Sequence, residues 1–273
     1  MHLITRRSFA IAAGLASLSR LQARGKVPIG VQLWSVRQLC QKDLEGTLAG
    51  LAKIGYQGVE FAGYYNRSAK ELRKILDDNG LRCCGTHTPI TTLLGDELAR
   101  TIEFNQILGN PNLIVPSLPE KYRASRQAWL DTAKLFGELA EKVKPHKMRV
   151  GYHNHAVEFK PIDGEIPWDL FFASTPKEVV MQIDTANCMM GGGDPVAYVR
   201  KYPGRAITVH IKEHSASKRD AIIGEGDVKW KEFFEACETV GGTEWYIVEE
   251  ESGAYPGLEA VRRSLENLRK MGK

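Results

Sequence analysis

The sequence predicts a single-domain (β/α)8 TIM barrel, and three observations carry that prediction. Eight short runs rich in β-branched residues alternate with eight helical stretches, the pattern of repeated βαβ units around a parallel sheet. The chain has 273 residues, close to the roughly 250 of such a barrel. The rival fold, a doubly wound open sheet, wants a Gly-rich phosphate fingerprint after its first strand, and Trp34-Ser35-Val36-Arg37 stands there instead.

Each element follows from local pattern. The first strand is predicted over 28–36, with a helix over 44–54. The second strand covers 58–62; its helix has Ser68 as N-cap and Asn79-Gly80 as its stop. Strand three is 82–88 with a helix over 96–108, and strand four is 112–117 with a helix over 125–143. Strand five is 148–155 with a short helix over 168–173, and strand six is 179–185 with a helix over 194–201. Strand seven is 206–212 with a helix over 229–240, strand eight is 245–249, and a helix over 257–270 closes the chain. Gly191-Gly192-Gly193 after strand six reads as a flexible loop. No internal repeat, low-complexity tract or linker divides the chain.

Composition narrows the class. Hydrophobic residues make up 43% and charged residues 26%, which excludes a disordered chain, a collagen, a coiled coil and a polytopic membrane protein. The five cysteines are scattered without a CxxC, so neither a zinc ribbon nor a redox dithiol is indicated. Residues 1–23 read as a twin-arginine export signal: Arg6-Arg7-Ser8-Phe9 precedes the apolar run Ala10 to Leu18. That run is far short of the about 20 residues a bilayer span needs, so no stable membrane span is expected after cleavage. The barrel domain is then 24–273, periplasmic or otherwise exported; a cytoplasmic enzyme with an N-terminal amphipathic helix is the alternative. Removing 1–23 takes the net charge from +4 to +1, which leaves no footprint for nucleic acid. The expected partner is a small molecule, and a homo-oligomer is compatible with the sequence.

In this fold the active site lies at the C-terminal ends of the strands. Most of the predicted strands carry a polar residue there: Gln32, Glu60, His87, His153 with His155, Asp184, His210 with Lys212, and Glu249, with Glu158 just beyond strand five. Residues two apart, such as Gln32 and Trp34, His153 and His155, or His210 and Lys212, share a strand face. Glu158, Asp184, His210 and Glu249, from four successive units, form a mixed nitrogen and oxygen donor set for one divalent metal ion. Manganese comes first; magnesium, cobalt, iron and zinc also suit it. Read singly, Asp184 is a helix N-cap and Glu249 part of the solvated run Glu249-Glu250-Glu251.

His153-Asn154-His155-x-x-Glu158-Phe159, Gln182-Ile183-Asp184-Thr185, His210-Ile211-Lys212-Glu213 and Tyr246-Ile247-Val248-Glu249 together resemble the sugar phosphate isomerase/epimerase family. This is the xylose isomerase-like TIM barrel superfamily, with inosose dehydratases and ketose 3-epimerases as relatives. Gly58-Val59-Glu60-Phe61, Asn79-Gly80-Leu81, Gly85-Thr86-His87 and Gly224-Glu225-Gly226-x-x-x-Trp230 extend the likeness over about 28–270. The resemblance implies a metal held by Glu158, Asp184, His210 and Glu249, with His155 as a substitute for Glu158. Asn187 stands where ketose epimerases and apurinic endonucleases carry His, and is taken as a substrate contact.

The chemistry the resemblance implies is proton removal next to a carbonyl through a metal-stabilised enediolate. Return of the proton gives isomerisation or epimerisation, which is the first expectation. Loss of a neighbouring group gives a keto-sugar lyase or hydratase, the alternative. Glu158, Glu249, His155 and Lys212 are the expected proton carriers. Gln32, Trp34, Glu60, His87, His153 and Asn187 are the expected substrate contacts. A non-phosphorylated sugar is expected, because no Arg cluster or Gly-rich cradle is present. An apurinic endonuclease and a catalytically silent sugar-binding barrel on the same fold are the readings from other classes.

Overall fold

Strands enclosed by helices outside and packed side chains inside must be apolar along their whole length. The eight strands here are: β1 (Ile29–Gln32), β2 (Gly58–Phe61), β3 (Arg82–His87), β4 (Asn112–Val115), β5 (Arg149–His153), β6 (Val180–Gln182), β7 (Thr208–Ile211) and β8 (Trp245–Val248). All but the leading residues Arg82 and Arg149 and the terminal His87 are buried. The computed structural model describes residues 26–273; the predicted export signal at 1–23 lies outside the described residues.

All neighbouring strands run parallel, in the order β6-β5-β4-β3-β2-β1-β8-β7. Between β6 and β7 there is no ladder. The ring closes there through Met181 N donating to Arg205 O at 2.8 Å, His210 N donating to Ile183 O at 2.9 Å, and a single parallel bridge between Asp184 and His210. This thin seam brings together two of the residues marked as metal ligands. At the N-terminal side of the seam Arg205 is buried and donates to the carbonyls of Phe172 at 2.7 Å and Val179 at 3.1 Å and to Thr175 Oγ1 at 2.6 Å.

The helices lie where the amphipathic pattern puts them, and local chemistry sets their ends. Ser68 and Glu71 form a reciprocal capping box at the start of Ala69–Asp78. Ser125 Oγ accepts from Ala128 N at 3.1 Å to open Arg126–Val143. Two predicted strands stop early. β1 ends at Gln32 and passes into a 3-10 turn, Leu33–Val36, so Trp34 does not share a strand face with Gln32. β5 ends at His153, so His155 lies beyond it. The glycine run after β6 is packed on both sides of an open middle: a Cβ on Gly191 would sit 2.7 Å from Ala156 O and Phe159 Cβ and one on Gly193 2.7 Å from Cys188 Sγ, while Gly192 is exposed.

Candidate functional site

The site rests on a floor of buried polar side chains. Glu60, at the inner face of β2, is wholly enclosed. A Cβ on Gly85 of β3 would lie 2.3 Å from Glu60 Oε1, so only glycine there leaves room for the carboxylate. A carboxylate can only accept. Gln32 Nε2 therefore donates to Glu60 Oε2 at 2.7 Å, and Gln182 Nε2 donates to Glu60 Oε1 at 2.8 Å and Thr208 Oγ1 at 2.9 Å. That fixes the Gln182 amide, whose Oε1 faces His87 Nε2 and His153 Nδ1, both at 3.1 Å. Both imidazole nitrogens must then carry the protons. For His153 this leaves Nε2 with a free lone pair. Burial, reinforced by His210, holds His153 well below the ordinary imidazole range and so neutral.

Above this floor His153, Asp184, His210 and Glu249 each offer one ligand atom, all within 4.8 Å of one another and all buried. His210 lies between carboxylates: Nε2 is 2.6 Å from Glu60 Oε2 and Nδ1 is 2.5 Å from Glu249 Oε2. Burial opposes its charge, but Glu60 and Glu249 outweigh burial and lift it to about 10. Glu249 is held well below the usual carboxylate range; burial opposes this, and His210 and Lys212 prevail. Asp184 differs. Its Oδ1 accepts from Asn187 N at 2.7 Å as the N-cap of the helix Thr185–Gly191. Its Oδ2 is buried with no hydrogen-bond partner, and burial lifts the carboxyl to about 6, against the pull of Lys212. A buried carboxylate oxygen without a partner is costly unless something cationic completes it. Two imidazoles and two carboxylates fit a divalent transition metal, with Asp184 Oδ2 as its unmet ligand.

The rim carries charge and aromatic surface. Lys212 Nζ donates to Glu249 Oε1 at 3.1 Å and also contacts Glu251. Burial works against its charge, but Asp184, Glu249 and Glu251 raise its pKa. Glu251 in turn accepts from Trp34 Nε1 at 2.9 Å, and the Arg37 guanidinium lies 4.3 Å over the Trp34 ring. Beside β7, Glu213 ties the loop 213–230 in place, accepting from Gly224 N at 2.7 Å and Trp230 Nε1 at 2.9 Å. A hollow of about 420 Å³ opens from Glu249 and Lys212 beneath that loop. A second, of about 540 Å³, lies at the opposite end of the barrel by Lys144 and Arg149, away from the cluster.

From the sequence Glu158 is expected as a ligand, and here it stands outside the four-residue group. Its Oε1 accepts from Tyr152 Oη at 2.6 Å and its Oε2 from His155 N at 2.7 Å, so it latches the turn after β5. His153, expected as a substrate contact, takes the β5 place in the group. Gln32 and Glu60, also expected against substrate, are fully buried and spend their polar atoms on the floor. His87 stacks on His210 at 5.3 Å with an interplanar angle of 11°. Asn187 Nδ2 donates to Asn154 O at 3.2 Å, and His155 is exposed at the rim. Gln182 was not singled out from the sequence; its signal is an amide at an inward strand position, two residues before Asp184. Glu251 was also missed, inside a run of three acids that reads as solvated surface.

Comparison with known proteins agrees with this fold. The chain is 25% identical over 267 residues to the Rhizopine catabolism protein MocC of Rhizobium meliloti, covering 84% of this chain and 81% of that one. It is 24% identical over 271 residues to an inosose dehydratase of Clostridium tetani, covering 84% and 91%. A solved structure of a sugar phosphate isomerase/epimerase from Parabacteroides distasonis superposes with a TM-score of 0.75 at 26% identity, covering 91% of this chain and 97% of that one. Residues 48–271 match the family described as Xylose isomerase-like TIM barrel, and the chain belongs to that family.

Proposed function

We propose that this chain is a divalent-metal-dependent enzyme that removes a proton next to the carbonyl of a non-phosphorylated sugar or keto-sugar. The observation that carries this reading is the partnerless, wholly buried Oδ2 of Asp184 facing His153, His210 and Glu249. These four residues would hold the ion, manganese first. A bound divalent ion supplies Lewis acidity at a carbonyl oxygen. Glu249, ionised between His210 and Lys212, takes the proton. Lys212, kept charged at hydrogen-bond distance from Glu249, is the acid on the same face. Gln182, Glu60 and His87 hold the two imidazoles in place. Trp34, half-exposed at the end of β1, offers aromatic surface for a sugar.

Isomerisation or epimerisation needs a second proton carrier opposite Glu249. Glu158, first in line from the sequence, has both oxygens engaged by Tyr152 and His155, which leaves only the exposed His155. This observation favours elimination, the outcome in which a neighbouring group leaves on the Lys212 side. The inosose dehydratase name of a relative points the same way. Epimerisation with His155 returning the proton is the second reading. The same reading takes residues 1–23 as an export signal and the chain as acting outside the cytoplasm.

The test is solvent exchange. The manganese-loaded chain is incubated with a panel of free keto-sugars, keto-inositols and keto-glycosides in deuterium oxide. Deuterium at the carbon next to the carbonyl together with loss of water or an alcohol supports elimination. Deuterium with only an epimer or isomer supports the second reading. A loaded, folded chain that exchanges no proton on any of them, or that acts only on sugar phosphates, refutes the proposal.

A further inference from the structure

We infer that the hollow at the N-terminal end of the barrel, away from the cluster, is a second ligand site. It takes a small amphipathic carboxylate, an apolar body with one anionic head.

The topology leaves this space. β6 and β7 share no ladder, and the chain leading into β7 meets β6 through the backbone bond from Met181 N to Arg205 O at 2.8 Å. The hollow lies at the start of these strands, and its volume of about 540 Å³ falls within the range of about 300–1,000 Å³ for small-molecule sites. Half of its lining is apolar: Ala140 from the helix Arg126–Val143, with Met148, Val180, Pro203 and Ile207 around the starts of β5, β6 and β7. The charged lining is Lys144, Lys147, Arg149, Lys177 and Glu178, four cations against one acid. Glu244 takes up Arg149 through two bonds of 2.8 and 2.9 Å, and Lys144 lies 3.6 Å from Glu141. Lys147 and Lys177 have no ion-pair partner among the described residues. Two unpaired lysines against the single Glu178 leave a positive excess, which calls for an anion. The apolar half calls for a hydrocarbon body, which neither a sugar nor inorganic phosphate supplies.

A separate observation singles out Lys147. Among the described helices and helical turns, five end on a residue in the left-handed region: Gly55, Gly109, Gly192, Gly242 and Lys147. Glycine is the usual residue there, because a Cβ makes that backbone costly. Lys147 holds it at a φ of 58°, so the chain gives up stability at that turn to keep an ammonium at the hollow. Strain retained in this way is characteristic of binding positions.

The experiment is calorimetric titration of the full chain, with chelator present, using octanoate, acetate, octylammonium and inorganic phosphate. Octanoate should bind at least about tenfold more tightly than acetate, the scale set by burying two or more methylenes. Octylammonium, with the same chain and the opposite charge, should bind at least about fivefold more weakly than octanoate. Lys147→Gly combined with Lys177→Glu should weaken octanoate by at least about fivefold. Lys147→Gly alone should melt no lower than the parent, because glycine adopts the left-handed backbone freely. Octanoate that binds no better than acetate, octylammonium that matches octanoate, or an affinity that survives both substitutions overturns the inference. So does phosphate that outbinds octanoate, since the hollow is then a plain anion site. So does a Lys147→Gly chain that melts below the parent, since that lysine then serves the fold. With the ion chelated and no proton transfer followed, none of these outcomes bears on metal loading or solvent exchange, by which the proposed function is judged.

Discussion

The buried carboxyl of Asp184 should cost stability in the metal-free chain, and replacing it with asparagine should show by how much. Its carboxyl titrates near 6 in the folded chain against an ordinary value of 3.8, because burial penalises the charge. Between those pH values the folded state binds more protons than the unfolded one, so stability falls as pH rises. A rise of about two pH units corresponds to about 3 kcal/mol, fully lost above pH 6. Asp184→Asn keeps an Oδ1 to accept from Asn187 N and removes the buried charge. Stripped of metal at pH 8, the variant should therefore be more stable than the parent by about 3 kcal/mol, which for a chain of this size shifts the melting temperature by roughly 6–12 °C. At pH 4 the two should melt together. With manganese at about 100 times its dissociation constant, the parent alone should gain about 2.7 kcal/mol. The assay is thermal unfolding by circular dichroism from pH 4 to 8, with chelator and with manganese. An asparagine variant that is less stable than the metal-free parent at every pH would refute the reasoning, because Oδ2 would then have a partner in the fold.

Other perturbations test other parts of the site. His153→Gln should abolish metal binding, while Glu158→Gln should retain about one ion per chain by elemental analysis; the reverse pattern would return Glu158 to the ligand set. Glu60→Gln should weaken metal binding by about 10–100-fold in equilibrium dialysis without unfolding the barrel, because the group that orients His210 is lost. The metal-free parent should lose further stability as pH rises from 6.5 through about 10, since the His210 imidazolium between Glu60 and Glu249 is stabilising only while protonated; His210→Gln should remove that limb of the profile. Arg205→Ala should cost about 3 kcal/mol or more in urea unfolding, because it strands the carbonyls of Phe172 and Val179 inside the seam.

Most of the barrel was legible because its signals are local. The helix Leu44–Ile54 and the Ser68 capping box depend on residues within one or two turns of each other. The errors came where distant residues decide. The run 148–155 looks like one strand, yet it stops at His153. Asn154 Oδ1 accepts from Asp184 N at 2.8 Å, and Asn154 Nδ2 donates to Asp184 O at 3.2 Å, which draws the chain toward β6 thirty residues away. That bend breaks the two-residue periodicity which had put His153 and His155 on one face. Glu60 posed a similar problem. The β2–β3 register shifts between Val59 and Glu60, and it is this shift that pairs Glu60 with Gly85. Nothing near residue 60 announces it: the sequence reads Glu60 as a substrate contact, while in the fold its oxygens accept from Gln32 and Gln182.

Asp184 shows why weighing single residues misjudges such a site. From the sequence, a helix cap and a metal ligand are rival explanations for an aspartate after a strand. A carboxylate has two oxygens, and under the proposed metal site they would divide the roles. Oδ1 caps the helix Thr185–Gly191, and that bond fixes the rotamer that turns Oδ2 into the cluster. The cap is therefore what would aim the proposed ligand. The same economy holds at the β6–β7 seam, where the bridge between Asp184 and His210 is both the closure of the barrel and the contact that brings two donors together. A substitution at Asn187 that leaves its backbone N–H in place should consequently be tolerated by the metal, whereas proline at that position, which removes the donor, should loosen the ion while Asp184 is still present.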